Sequence, residues 1–295
     1  GAHAAGVVIS SVPLWKIAPI ETRGVTGEKD RLKVIAYDMN ETEEVGLWKY
    51  DFLGLKALSV VDDCINKIKE IYGKDVRQQS LGLDDQDVIE NFNKDSLIGI
   101  FQAEGAGYKN LIADMGINSF SDIVASNALV RPGASITQGP QYIAVKHNKK
   151  QAVYVHDILK PILEETFGTF VYQEQLMQAV VLLADFTWAE ADYLRKIIGK
   201  KKDSSEFDAF AEKFINNSSK YLDRNVAKDL WADFEKASLY MFNKSHSVGY
   251  SLLTYQTMWL KYHYPSEFIW ASLYNEDKPE SVSSFLVEAN KLGIS

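Results

Sequence analysis

Cysteine is all but missing from this 295-residue chain: Cys64 stands alone. No internal disulfide can form, and the surrounding helical pattern offers neither the histidine nor the base that a nucleophilic thiol needs. A reducing compartment is expected. No run reaches the roughly 18 uncharged apolar residues of a membrane span. The opening GAHAAGVVIS has no basic start of a signal peptide, so the expectation is a soluble, cytoplasmic protein with no membrane partner. Positive charge is scarce: 32 Lys and Arg against 40 Asp and Glu leave a net charge of -8, which argues against a surface that grips nucleic acid along its whole extent. The 5 histidines show no HExxH spacing. A glycine-rich phosphate loop, a nucleophile elbow and a Cys–His pair are absent as well. With 46% hydrophobic and 24% charged residues, disorder and fibrous structure are excluded.

What is present divides the chain in two. Segments 7–11, 33–38 and 47–52 are rich in β-branched and aromatic residues and are separated by Pro, Gly and Asn turns, which predicts a small sheet. From Leu55 the spacing turns helical, with Leu55, Leu58, Val61, Ile65 and Ile68 in phase. Further helices are predicted over 84–93, 119–130, 156–166, 173–184, 187–199, 206–221, 226–239, 247–263, 265–273 and 280–292. Pro132 and Gly133 halt the second of these, Gly168 the third, and Thr187 caps the fifth. The class is α+β: a small sheet segment followed by a large, mostly α-helical body. Some fifty residues of sheet are too few to bury both faces, so either the helices cover them or the chain begins inside a larger domain.

Three clusters could carry chemistry. In LWKYDFLGLK, alternation puts Leu47, Lys49 and Asp51 on one face and Trp48, Tyr50 and Phe52 on the other. A carboxylate beside a lysine at a strand end suits a magnesium ion facing a phosphate chain, although a helix cap or a plain Lys49–Asp51 ion pair uses the same residues. In TWAEADYLRKIIGKKK, a stripe of Trp188, Ala191, Leu194 and Ile198 turns inward. It leaves Arg195, Lys196 and Lys200 outside, with Lys201 and Lys202 following. Such a rim fits triphosphate oxygens or a nucleic-acid backbone, but cations at a helix C-terminus also simply complement its dipole. In YMFNKSHSVGYSLLTYQTMWLKYHYP, a stripe of Leu252, Tyr255, Trp259 and Tyr262 reads as core. Lys244 and His246 sit at that helix's start, where the dipole favours anions; a bound phosphate or an Asp or Glu neighbour would resolve this. FQAEGAGYKNL, ALVRPG and FVYQEQLMQ read as turn-and-helix junctions, with Arg131 either a phosphate contact or a C-terminal helix charge. His3, His147, His156 and His263 read as structural or solvated.

The order of these segments is specific: HAAGVVIS, YDMN, GLWKYDFLGLK, IGIFQAEG, LVRPG, TFGTFVYQEQLMQ, LRKIIGKKK and FNKSHSVGYSLLTYQTMWLKYHYPSEF. As a set they closely resemble the bacterial family C replicative DNA polymerases, the DNA polymerase III alpha subunits, from His3 to about Phe268. The YDMN segment is similar to the Gram-positive or phage-borne branch. The resemblance implies that residues 1–58 are the C-terminal part of a palm and 59–295 a fingers domain. It implies that Asp51 is a metal-binding aspartate and Lys49 a lysine reaching the triphosphate. Arg195 and Lys196, with Lys200 and Lys201, would meet the incoming nucleotide, and Lys244 and His246 the nucleotide or template. Arg131 and Lys202 are carried as nucleic-acid contacts. The implied chemistry is two-metal phosphoryl transfer with Mg2+. The implied partners are template-primer DNA, deoxynucleoside triphosphates, other replisome proteins and a polypeptide carrying the remaining palm, thumb and N-terminal domains.

Departures from the family pattern bear on activity. The paired aspartates of its DxDxDF-like motif do not occur in these 295 residues. Nor do a thumb, an N-terminal polymerase-and-histidinol-phosphatase domain, a double helix-hairpin-helix region, a clamp-binding peptide or a terminal nucleic-acid-binding barrel. Lys196 stands where many relatives have a second Arg, and RPGAS replaces RPGP. The chain is therefore expected to be a polymerase piece, inactive alone, that works with a chain supplying the other aspartates. The alternative is a non-catalytic module that uses the fingers surface to bind nucleotide, nucleic acid or a replication protein.

Overall fold

A computed structural model describes residues 5–24, 31–77, 81–94, 96–198 and 205–294. The chain divides into two compact units, Gly1–Lys56 and Ala57–Ser295.

In the first unit, β1 (Gly6–Ile9) pairs antiparallel with β4 (Trp48–Asp51), placing Gly6 opposite Asp51, Val7 opposite Tyr50, Val8 opposite Lys49 and Ile9 opposite Trp48. A separate antiparallel pair joins β2 (Ile20–Gly24) to β3 (Arg31–Ile35). The strand content is thus two ladders where one small sheet was read, and β2 was not foreseen. The expected strand over 33–38 stops at Ile35 because Asp38 is committed to capping α1 (Met39–Glu44): its Oδ1 accepts the Glu41 amide at 2.9 Å, and the Glu41 carboxylate accepts the Asp38 amide at 2.9 Å. Alternation in β4 is clear, with Leu47 buried and Trp48, Tyr50 and Phe52 exposed. Val7 and Ile9 share the exposed face through the register.

The second unit is helical. Its first helix, α2 (Lys56–Tyr72), buries Val60, Val61, Cys64, Ile65 and Ile68 on one side. Burial, helped by the charge of Glu267, pushes the Cys64 thiol up to about 12, which keeps it protonated and unreactive. One core is built by α3 (Gln86–Asn91), α4 (Ala106–Met115), α5 (Phe120–Leu129) and α7 (Gly139–Lys146) with Tyr255 and Met258 of α13 (Lys244–His263); α6 (Pro132–Thr137) links α5 to α7. A second core joins α8 (Lys160–Leu163), α9 (Gln173–Ala184), α10 (Trp188–Ile198), α11 (Ser205–Asn217) and α12 (Arg224–Ser238) around Leu176, Leu194, Phe214 and Phe234. α14 (Pro265–Tyr274) and α15 (Pro279–Lys291) complete the unit.

Three helical expectations are corrected. The segment 156–166 is not one helix. Pro161, which lacks an amide hydrogen, falls in a fresh start at α8, flanked by short 3-10 turns, and Phe167 and Gly168 both take positive φ. Trp188 is exposed, because it is the first residue of α10 and a helical side chain leans over the turn before it, where here there is no helix to cover. In α13 the stripe of Leu252, Tyr255, Trp259 and Tyr262 holds only one fully buried member, Tyr255. The helix is buried on several sides instead, by small hydroxyl residues with partners: Ser247 Oγ donates to Val124 O at 2.7 Å, Asn127 Nδ2 to Ser251 Oγ at 2.7 Å, and the Phe101 amide to Thr257 Oγ1 at 3.1 Å.

Toward its C-terminus, α13 carries a buried cation. Lys261 Nζ lies 2.7 Å from Glu288 Oε1 of α15 and donates to Ile98 O at 2.8 Å and Ser96 O at 3.2 Å, while Ser96 Oγ also bonds Glu288. Glu288→Ala would leave an ammonium 6% exposed without a counter-charge; we expect a loss of about 3–5 kcal/mol in urea unfolding. The paired change Lys261→Met with Glu288→Leu should cost markedly less, because no charge is then stranded.

Candidate functional site

The motifs singled out in the second unit meet at Phe242. Tyr172 and Phe242 form an isolated parallel bridge, in which the Phe242 amide donates to Val171 O and the Gln173 amide to Phe242 O, each at 2.9 Å. Gln175 locks the turn into α9. Its Oε1 accepts the Val171 and Tyr172 amides at 2.9 Å, and its Nε2 donates to Ile162 O at 3.1 Å and Thr166 Oγ1 at 2.8 Å. Its neighbours reach outward from that fixed point. Gln173 Oε1 accepts from Arg195 Nη1 at 3.2 Å, while Glu174 accepts Asn243 Nδ2 at 3.0 Å and the Lys244 amide at 2.9 Å.

Arg131 arrives from another direction. It precedes Pro132 at the head of α6, and its guanidinium lies 5.2 Å from the Phe242 ring centre, a cation–π distance. Two residues on, Gly133 lets the Tyr240 ring close onto α6, since a Cβ there would fall 2.0 Å from a ring carbon of Tyr240. From Phe242 a line of rings follows the first turns of α13: Phe242 to His246 at 5.4 Å, His246 to Tyr250 at 4.2 Å and Tyr250 to Phe101 at 5.3 Å. The i, i+4 spacing of 242, 246 and 250 puts these rings on one side. Beside them Gly249 is open, with nothing within 4 Å of where a Cβ would stand.

Three cations of this surface, Arg195, Lys196 and Lys244, have carboxylate partners. Arg195 donates to Asp192 Oδ1 from Nε at 3.0 Å and from Nη2 at 2.8 Å, and Lys196 Nζ lies 2.7 Å from Asp192 Oδ2. Lys196, and then Arg195, hold the Asp192 carboxyl below the usual carboxylate range. Lys244 Nζ reaches both oxygens of Glu165, at 2.8 and 2.7 Å, and lies 5.6 Å from the Tyr172 ring centre. Of the two resolutions open for a lysine at this helix start, the acidic neighbour is the one built. The His246 amide is taken by the Asn243 cap at 2.8 Å. Lys200, Lys201 and Lys202 lie outside the described residues, as does His3.

In the first unit, Lys49 and Asp51 share a face as alternation requires, and Lys49 Nζ is 3.0 Å from each Asp51 oxygen. This is the plain ion pair that the same two residues allow. One carboxylate beside an ammonium has the hard-oxygen chemistry of a magnesium ligand, but no group of three or more potential ligands occurs among the described residues. His147 bonds Asp114 O at 2.9 Å, His156 Nδ1 accepts the Ile158 amide at 3.2 Å, and His263 meets Asp85 at 2.7 Å. All three have local structural partners.

Sequence reasoning missed Gln173, Glu174, Glu165 and Asp192. Only the last left a signal, an acid three and four residues before two cations. Gly133 and Phe242 were quoted in motifs without a role, because the ring that needs the one and the cation that sits on the other come from distant positions.

Sequence comparisons place the chain among known proteins. Residues 57–221 match the family described as the bacterial DNA polymerase III alpha subunit finger domain, and residues 1–54 the bacterial DNA polymerase III alpha NTPase domain. The chain is 39% identical over 298 residues to the DNA polymerase III subunit alpha of Campylobacter jejuni, which it covers by 24% while itself being covered fully. It is 40% identical over 295 residues to that of Aquifex aeolicus, with 99% of this chain and 25% of the relative aligned. The Rickettsia felis protein of the same name is 38% identical over 294 residues, with 99% and 24% aligned. The chain spans about a quarter of the length of these relatives.

Two outcomes test the site's construction. Gly133→Ala forces a methyl into the Tyr240 ring; we expect about 1–3 kcal/mol of destabilisation, read by guanidinium unfolding. Glu190 caps α10 by accepting the Thr187 amide at 2.8 Å and lies 2.5 Å from Lys213. These bonds, that from Lys213 foremost, depress its carboxyl from 4.5 to about 2. A group depressed on folding stabilises above its unfolded value, and the contribution disappears as pH falls from 4.5 to about 2. Glu190→Gln should therefore flatten the melting temperature across that window relative to the parent chain.

Proposed function

The chain belongs to the bacterial DNA polymerase III alpha subunits, and we propose that it supplies the nucleotide-binding fingers and one metal-binding carboxylate for template-directed DNA synthesis. The observation that carries this reading is the meeting of Arg131, Gln173, Arg195, Lys244 and His246 around Phe242, from segments spread over the helical unit. A triphosphate is strongly anionic, and each tetrahedral phosphate offers pairs of oxygens to a fork of donors. Arg195 answers it with a guanidinium already oriented, and Lys196, Lys200, Lys201 and Lys244 answer it as point charges. The open face of His246 and Tyr250 suits a base, whose ring stacks without regard to its identity. Sequence is then copied by pairing and not read by side chains. Arg131 and Lys202 serve the phosphate backbone of the template-primer, which fixes register without selecting sequence.

Asp51 supplies a single hard oxygen donor and Lys49 a cation beside it. Mg2+, when bound with carboxylates from elsewhere, supplies charge that offsets the negative charge developing during phosphoryl transfer. Lys49 is the residue that would meet a phosphate oxygen beside that carboxylate. The partners in this reading are template-primer DNA, deoxynucleoside triphosphates, a polypeptide carrying the remaining palm and thumb, and other replisome proteins. A non-catalytic nucleotide- or nucleic-acid-binding role is the competing outcome.

Primer extension decides between them, run with this chain, with a chain carrying the paired aspartates, and with both mixed. Synthesis is expected only in the mixture. There, Asp51→Asn should lower it by at least 100-fold and Arg195→Ala should raise the nucleotide KM by about tenfold, the scale of a charge-assisted bond. No synthesis from two folded, associated chains would establish the binding role.

A further inference from the structure

Asp192 is a carboxylate placed inside a site read as anion-binding, and that position invites an account. It takes three hydrogen-bonding approaches from two cations, through Oδ1 to Arg195 and Oδ2 to Lys196. The two cations are held differently. Arg195 has a second anchor, Gln173 Oε1 at 3.2 Å, and its side chain is 28% exposed. Lys196 is 58% exposed, and Asp192 is its ion-pair partner. A guanidinium has five donors; among the described residues three are engaged, by Asp192 and Gln173, and two N–H groups remain for a ligand. Gln173 holds the guanidinium without charge and so does not compete with an anion, whereas Asp192 does.

Resting on the reading of Arg195 and Lys196 as triphosphate contacts, we propose that Asp192 is an internal counter-ion which the triphosphate displaces from Lys196, while Gln173 and Oδ1 keep Arg195 in place. The device sets nucleotide affinity: part of the positive charge is offset when the site is empty, and each binding event exchanges a protein carboxylate for phosphate oxygens at Lys196. It also disfavours retention of weaker anions, such as a single phosphate, which bring too little charge to win the exchange.

The sign of one substitution tests this. Calorimetric titration of the 295-residue chain with inorganic tripolyphosphate and with deoxyadenosine triphosphate should show Asp192→Asn binding both roughly fivefold more tightly, the scale of one exposed charge pair. That gain should shrink as salt is raised, and Asp192→Glu should behave like the parent. Melting curves establish that each variant is folded, and Asp192→Ser serves if the Asn variant is not. Weaker or unchanged binding in the folded Asn and Ser variants, with Arg195→Ala still losing affinity, overturns the counter-ion role, leaves Asp192 a strut, and spares the site reading. Binding that survives Arg195→Ala and Lys196→Gln unaltered, or no binding by the parent chain, overturns the site reading and the counter-ion role with it.

Discussion

Two backbone hydrogen bonds hold the candidate site together. The exchange between Val171, Phe242 and Gln173 splices the start of α9 to the start of α13. Among the described residues, the candidate side chains Arg131, Arg195 and Lys244 are referred to that splice. Gln173 and Glu174 extend from one strand of it to Arg195 and to the α13 cap, and Phe242 on the other carries Arg131 on its ring. Buried backbone groups must be paired, and the Gln175 amide satisfies the two amides on the α9 side that the splice leaves over. A polar side chain 2% exposed is thus as much a part of the site as the cations.

Charge follows the same economy. The chain is acidic overall, and three described cations of the surface, Arg195 and Lys196 on Asp192 and Lys244 on Glu165, are paired with carboxylates of the same unit. Part of the positive charge is therefore offset at rest. Positive potential appears where a ligand with enough negative charge draws the cations away, which is a selective arrangement in a cell full of monovalent anions.

Much of this was legible in the sequence. The turn from period-two to helical spacing at Leu55 separates strands from helices, the cap at Thr187 follows a local rule, and the ordered motifs identify the family. What escaped were relations between distant residues. Tyr240 filling the space over Gly133, Glu165 under Lys244 and the bridge at Phe242 leave no periodic trace. The stripe assigned to α13 failed for a related reason. Serine and threonine count as polar when apolar spacing is read, yet here they are buried against neighbouring backbone and side chains, so the face with the large rings was not the only one turned inward.

That packing gives α13 a mechanical character. Bonds from Ser247, Ser251 and Thr257 to three different partners, and from Lys261 to a fourth, act along nearly the whole helix. A rod pinned at several heights cannot spin about its axis without breaking each pin. Rotation of His246 and Tyr250 relative to the core is thereby closed off, and the motion left to the stacking line is translation or tilt of α13 together with α5 and α15. The rings at its tip would then report the displacement of a whole helical layer.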